Sequence, residues 1–328
     1  MSRFAFTLAL SFLAGIAGAS GGARAEREAG TLSFTVENDV FAGSDRHYTS
    51  GLRVAYVTGA VAPTQLEQFI TGGRASEGTF RRGLAASQTL YTPEYYLRET
   101  PYDHEHPYAG NIFGEYAALT EKDGRFDLVT IEVGVIGPWA LGEETQNWFH
   151  RTMGAYEANG WAHQIDNEVT ANLAYDWKGA PILSGRAGGI DVEITPTAGA
   201  SLGTVAVNAR VGGMLRIGNS LQPNFGPARI RPSLTGSGQF TRAKDVDWFA
   251  FVGVQGRAVA HDIFLDGSLF DEDSPSTPKN TYVGDIQSGF AITWGGTQLS
   301  WTYVHRTERF EAQNGADGFG ALTLSFKM

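Results

Sequence analysis

Along most of the chain, apolar and polar residues alternate with a period of two. Leu32, Phe34 and Val36 alternate with Thr31, Ser33, Thr35 and Glu37, and Val129, Ile131, Val133 and Val135 with Thr130, Glu132 and Gly134. The same rhythm carries Leu173, Tyr175 and Trp177, then Ile190, Val192 and Ile194, then Val205, Val207, Ala209 and Val211. It returns in Leu299, Trp301 and Tyr303, and it closes the chain with Leu322, Leu324 and Phe326. Successive strand side chains point to opposite faces, so such segments are half-buried strands. The pattern predicts twelve, over 31–38, 47–57, 82–91, 109–119, 127–136, 169–178, 187–196, 203–213, 246–258, 282–294, 297–308 and 319–327. A thirteenth alternating stretch, near 230–241, is assigned to a periplasmic connection.

A soluble sandwich would turn the apolar face of these strands to its core, and a membrane barrel would turn it to lipid. Three features favour the barrel. The polar faces carry charged groups beside small ones, as a narrow lumen allows. Trp and Tyr recur near strand ends, as at a bilayer interface. The last strand runs almost to the terminus, with Phe326 third from the end. The expected fold is all-β: a single closed antiparallel transmembrane β-barrel of about twelve strands, the even number that single-chain barrels use. Both termini then lie on the periplasmic side. Connections at 38–47, 92–108, 137–168, 197–202, 259–281 and 309–318 face outward. The longest outward loop carries the clearest helix signal, Leu141–Ala158, in which Trp148, Phe149, Thr152, Met153 and Tyr156 recur at helical spacing and Gly154 interrupts.

The N-terminus sets the compartment. Arg3, an apolar stretch from Phe4 to about Ala17 and Ala23-Arg24-Ala25 read as a secretory signal peptide over residues 1–25, leaving a barrel over 26–328. The apolar stretch is short of the roughly 20 residues that span a bilayer. No cysteine is present, which removes disulfides and every thiolate nucleophile or ligand. The net charge of −10 argues against a nucleic-acid partner.

Four pieces could carry chemistry. At the outer end of the first strand stands Glu37-Asn38-Asp39. Asn38 shares parity with lipid-facing Leu32, Phe34 and Val36, and an amide does not face hydrocarbon. The chain has therefore left the membrane there, or Asn38 faces something built against the wall. Asp45-Arg46-His47-Tyr48-Thr49 starts the next strand, and strand pairing sets Thr49 near Asn38 and Asp39. Carboxylate, amide, hydroxyl and backbone oxygens are ligands for a hard cation such as calcium. Gln146 and His150 lie four residues apart and share a helix face, flanked by Glu143 and Asn147. Gly160-Trp161-Ala162-His163 leads back to the sixth strand, where Trp161 fits a membrane-interface tryptophan. Taken singly, each piece also reads as an ordinary polar turn or surface residue.

Together and in this order, the pieces resemble the lipid A 3′-O-deacylase family of outer-membrane barrels, the LpxR type. The matching segments are VENDVFAGSDRHYTSGLRVAY, LYTPEY, PYAG, VGVIGPWALGEETQNWFHRTMG and GWAHQIDNE, dense over residues 30–178. The resemblance implies twelve strands and a site between the wall and a helix from an outer loop. It implies Asn38, Asp39, Gln146 and His150 as catalytic residues, and Asp39, Thr49 and Glu157 around a Ca2+ ion. It implies calcium-dependent hydrolysis of the 3′-O-linked acyl ester of lipid A, with His150 as general base and the site facing the outer leaflet. The partners implied are lipopolysaccharide and the outer membrane, with the protein a monomer. The chain departs from the family at Glu105-His106, where members often read Asp-Arg, and no residue stands out for binding substrate phosphate. Two other functions fit the same residues less closely: an outer-membrane phospholipase, and a non-catalytic barrel or porin.

Overall fold

The computed structural model describes residues 28–43, 46–221, 226, 229–230 and 238–328. The leader expected over residues 1–25, and Asp45 of the second motif, lie outside the described residues. Among the described residues thirteen strands follow one another: β1 Thr31–Asn38, β2 His47–Val57, β3 Thr79–Thr92, β4 Ala109–Lys122, β5 Arg125–Ile136, β6 Glu168–Lys178, β7 Leu183–Ala187, β8 Ile190–Gly203, β9 Ala206–Gly218, β10 Val246–Asp262, β11 Tyr282–Trp294, β12 Thr297–Arg306 and β13 Asp317–Lys327. Among the described residues three α-helices interrupt them, α1 Gln65–Ile70, α2 Gly142–Met153 and α3 Ile263–Asp266, besides short 3-10 turns. All strand pairs are antiparallel, and pairing of β1 with β13 and of β6 with β8 closes a twelve-stranded barrel. β7 is the extra strand, a short exposed arm hydrogen-bonded to β8 below the end of β6.

The alternation resolves as the barrel requires. In β1 the polar set Thr31, Ser33, Thr35 and Glu37 is buried, while Phe34 and Val36 are 44% and 43% exposed. A sandwich would have done the reverse. Polar side chains line the lumen and pair across it, with Arg210 on Asp176 at 2.6 Å and Arg306 on Asp285 at 2.8 Å. Hydroxyls do the same where β1 meets β13, as in Ser33–Ser325 and Thr35–Thr323. Apolar side chains face outward, where only lipid satisfies them.

Three expectations need correction. The loop expected at 197–202 belongs to β8, and the real turn is the dipeptide Thr204-Val205. The Pro-Thr-Ala-Gly run reads as a breaker, but Pro196 sits where the edge of β8 passes from β6 to β7, so its missing N–H leaves no rung unmade. Gly199 lies under the Arg210 side chain, which a Cβ would strike. The helix ends at Met153, not Ala158, because Gly154 at φ 73° caps it in the left-handed conformation. The stretch at 230–241 does belong to the terminal-side connection between β9 and β10, but its described parts enter the barrel. Ile230 donates its N–H to Glu37 at 3.2 Å, next to the ion pair of Arg229 with the same carboxylate, and Gln239 accepts from the Thr31 hydroxyl and donates to the Thr58 carbonyl.

At the opposite rim, away from the termini, loops close over the lumen. Tyr91 stacks on Phe264 of α3 at 4.0 Å and on His106 at 5.4 Å. Burial, with Arg309 beside it, holds His106 well below the usual histidine range. Neutral His106 donates from Nδ1 to the Pro107 carbonyl and accepts from Arg309 at Nε2. Arg309 reaches His106 from the β12–β13 loop.

Candidate active site

The site residues stand on the outer surface of the wall at this distal rim. β1 ends at Asn38, which is extended (φ −159°, ψ 144°) and accepts the Val40 N–H at 2.9 Å. That bond caps a short 3-10 turn over Asp39–Ala42, closed by Gly43 at φ 75°. Asp39 is buried, and its Oδ2 accepts the Arg46 N–H at 2.6 Å. A bulge at Thr49 then shifts the β2–β3 register. The extra residue reverses the face of what precedes it. Tyr48 turns into the lumen, where its hydroxyl donates to Glu37 at 2.8 Å, and Thr49 meets the Thr92 hydroxyl at 2.7 Å. Asn38, Ser50, Leu90 and Gly110 are register neighbours across β1, β2, β3 and β4, on the outward parity.

α2 is laid against this row. A Cβ on Gly110 would lie 3.1 Å from the Gly142 backbone, so both glycines are needed for the helix to lie this close. Gln88, pointing outward from β3, donates to the Ala140 carbonyl at 2.7 Å and to Thr145 Oγ1 at 3.2 Å. The orientation of the helix is the informative fact. Its polar residues Gln146, Asn147 and His150 face the wall, while Trp148 and Met153 are 62% and 67% exposed. A helix on a soluble protein buries its apolar stripe. This one buries the polar side and offers the apolar side to the same surroundings as the strands.

The loop after α2 fixes the polarity of both buried groups. His150 Nδ1 lies 2.6 Å from the Tyr156 carbonyl oxygen. A carbonyl only accepts, so Nδ1 carries the hydrogen and Nε2 of the neutral ring carries the lone pair. Tyr96 meets the ring edge-on at 5.5 Å. Trp161 donates its indole N–H to Gln146 Oε1 at 2.8 Å. Asn147 clasps the loop itself, accepting the Ala158 N–H at 2.8 Å and donating to its carbonyl.

The structure thus gathers Asn38, Asp39 and Thr49 on one hairpin, and Gln146 and His150 on one helix face. The two groups share the outer wall at the distal rim, where Asn38 and Gly110 are three strand spacings apart, roughly 14 Å. Glu157 is turned to Arg151 at 3.1 Å, both of them well exposed. Among the described residues, no three acidic or histidine side chains converge as a ready metal cluster. Asp39, Thr49 and Thr92 are nonetheless all oxygen donors of the kind calcium takes. Trp161 is fully buried and is no interface anchor. Tyr96, Tyr108, Thr92 and Gln88 also shape the site; Thr92 and Tyr108 lie in the LYTPEY and PYAG segments, and nothing in the sequence marks Tyr96 or Gln88.

A closed twelve-stranded barrel with an inside-out apolar surface defines a membrane-spanning barrel, here with a polar niche between its wall and a helix packed on the outside. The family model described as outer membrane protein LpxR matches residues 4–328, and the chain belongs to that family. Among solved structures, LpxR from Salmonella typhimurium superposes with a TM-score of 0.74 at 20% identity, covering 91% of this chain and 100% of that one. The β domain of the Bordetella autotransporter Brka is far less similar, with a TM-score of 0.43 at 10% identity over 92% of this chain and 99% of that one. Comparison with curated proteins returned no match.

Proposed function

We propose that the chain is an outer-membrane lipid A deacylase that hydrolyses the 3′-O-linked acyl ester, with His150 as general base. One observation carries this reading: His150 and Gln146, one turn apart on the face of α2 that meets the wall, present a lone pair and an amide donor respectively. Ester hydrolysis by water needs that pair of opposite polarities. Family membership supports lipid A as the substrate, and the exposed apolar face of α2 supports an outer-leaflet approach.

In this mechanism His150 Nε2 takes a proton from a water as its oxygen bonds to the acyl carbonyl carbon. The Tyr156 carbonyl stabilises the imidazolium that results. Collapse of the tetrahedral intermediate breaks the bond to the sugar 3′ oxygen, and His150 returns the proton to that leaving oxygen. The products are the free acyloxyacyl acid and a 3′-hydroxyl. Asp39 and Thr49 would hold a Ca2+ ion together with backbone carbonyls, and Glu157 could join them only by leaving Arg151. When bound, the ion supplies positive charge for the carbonyl oxygen as it becomes anionic. Asn38, engaged as the cap of the turn, sets the position of Asp39.

The test is a lipid A mass profile from cells with and without the protein. Loss of the 3′-linked acyl mass supports the reading. An unchanged lipid A with deacylated phospholipid assigns the site to phospholipids, and no lipid change refutes hydrolysis. His150→Ala is expected to abolish the activity while the barrel keeps its heat-dependent electrophoretic mobility.

A further inference from the structure

Trp161 is one of the most deeply buried large side chains in the protein, 1% exposed, and the reaction as drawn above makes no use of it. Its indole N–H is only a donor, so the atom it meets at 2.8 Å must be the carboxamide oxygen of Gln146. That bond fixes which way the amide faces. The Gln146 NH2 group is directed elsewhere, is buried, and finds no hydrogen-bond partner among the described residues. Buried donors are rarely left unpaired, and one that is invites a functional explanation.

We propose that Trp161 is a positioning residue: its indole holds the Gln146 carboxamide so that the NH2 is offered to the substrate carbonyl oxygen, which becomes anionic during hydrolysis. The role rests on the deacylase reading. Trp161 itself touches no reacting atom. Its ring is packed on two sides. Gly142 lies beneath it so closely that a Cβ would collide with the ring. Tyr108 packs at 5.1 Å and is in turn tied by its hydroxyl to the Tyr96 carbonyl at 2.9 Å. The indole cannot follow a rotating glutamine, so it selects one amide orientation. Without the N–H, the carboxamide is free to flip and present its oxygen, which repels the developing charge. Phenylalanine would keep an aromatic ring in this space but brings no N–H, and the N–H is what sets the amide orientation here.

The experiment uses the full-length protein in mixed micelles with purified lipid A, measuring kcat and KM for Trp161→Phe, Gln146→Met and the double variant. Gln146→Met should lower kcat about 100-fold, as loss of one oxyanion donor does. Trp161→Phe should lower kcat about 10-fold with KM within about twofold of wild type, and the double variant should match Gln146→Met alone. A Trp161→Phe enzyme with native kcat, or losses that multiply in the double variant, overturns the assignment. Heat-dependent mobility shows whether Trp161→Phe folds. If it does not, Gln146→Glu decides, since a carboxylate still accepts from the indole but has no hydrogen to donate. Native kcat in Gln146→Glu overturns the proposal. A wild-type protein that leaves lipid A intact overturns the deacylase reading, and this assignment with it.

Discussion

Gly110→Val tests whether the site depends on how closely α2 lies against the wall. A Cβ at Gly110 stands 3.1 Å from both the Gly142 Cα and its nitrogen, and 3.3 Å from the Ala140 Cβ. Ordinary carbon contacts lie at about 3.5–4.0 Å, so the Cβ alone demands a shift of roughly half an ångström, and the γ-methyls of valine demand more. α2 would be lifted by roughly 1 Å, carrying Gln146 and His150 with it. Misplacement on that scale costs on the order of 100-fold in rate. Gly114, outward on the same strand, is the control: nothing lies closer than 3.9 Å to a Cβ there, and the position faces outward without a helix above it. Gly114→Val should therefore deacylate lipid A at the wild-type rate, while Gly110→Val loses about two orders of magnitude with its barrel intact by electrophoretic mobility. Limited proteolysis gives a second readout, because a lifted α2 exposes the 137–167 loop to cleavage. A Gly110→Val enzyme with full kcat and an uncleaved loop would refute the claim that α2 must seat on the wall.

Three further outcomes are expected. With one carboxylate in the proposed ligand set, calcium should half-activate the enzyme at about 10⁻⁴–10⁻³ M, and Asp39→Asn should move this midpoint upward; activity unaffected by excess chelator removes the ion. Burial pushes the Glu67 carboxyl up, but bonds from Arg82, the Thr64 N–H and Tyr116 outweigh it and hold the group at about 2. Its contribution to stability is then complete above the unfolded value of about 4.5 and fades as pH falls toward 2, so Glu67→Gln should lower the melting temperature at pH 7 and leave it unchanged near pH 2. Replacing exposed Trp148 and Met153 together by Lys should slow hydrolysis of lipid A in vesicles far more than in detergent micelles, and equal effects in both would show that this face does not meet lipid.

The strands were legible because period-two alternation needs no tertiary context: it states that the two faces differ, as β1 shows with Thr31, Ser33, Thr35 and Glu37 against Leu32, Phe34 and Val36. The odd parity of Asn38 was legible for the same reason, as a polar group on an apolar face. What alternation cannot state is which medium each face meets. The helical spacing of Trp148, Phe149 and Met153 identifies a stripe in α2, yet the wall receives the opposite stripe, because the surroundings are lipid rather than water. α1 carried a readable signal in the Thr64–Glu67 capping box, a reciprocal pair that opens the helix. Breakers misled at 197–202, where Pro196 and Gly199 serve the sheet instead of ending it. Trp161 was out of reach, since its partner Gln146 lies fifteen residues away in sequence and is met only when the loop folds back on α2.

The single unmatched residue at Thr49 has a consequence for how this barrel can vary. Removing it would set Tyr48 beside Ser50 opposite the adjacent partners Tyr91 and Leu90, an even ladder in which every side chain upstream keeps its present compartment. Tyr48 would stay in the lumen with its hydroxyl on Glu37, which also holds Arg229. What the deletion takes away is the Thr49 hydroxyl and its 2.7 Å contact with Thr92, so the extra residue supplies an oxygen at the outer rim on which the interior packing does not depend.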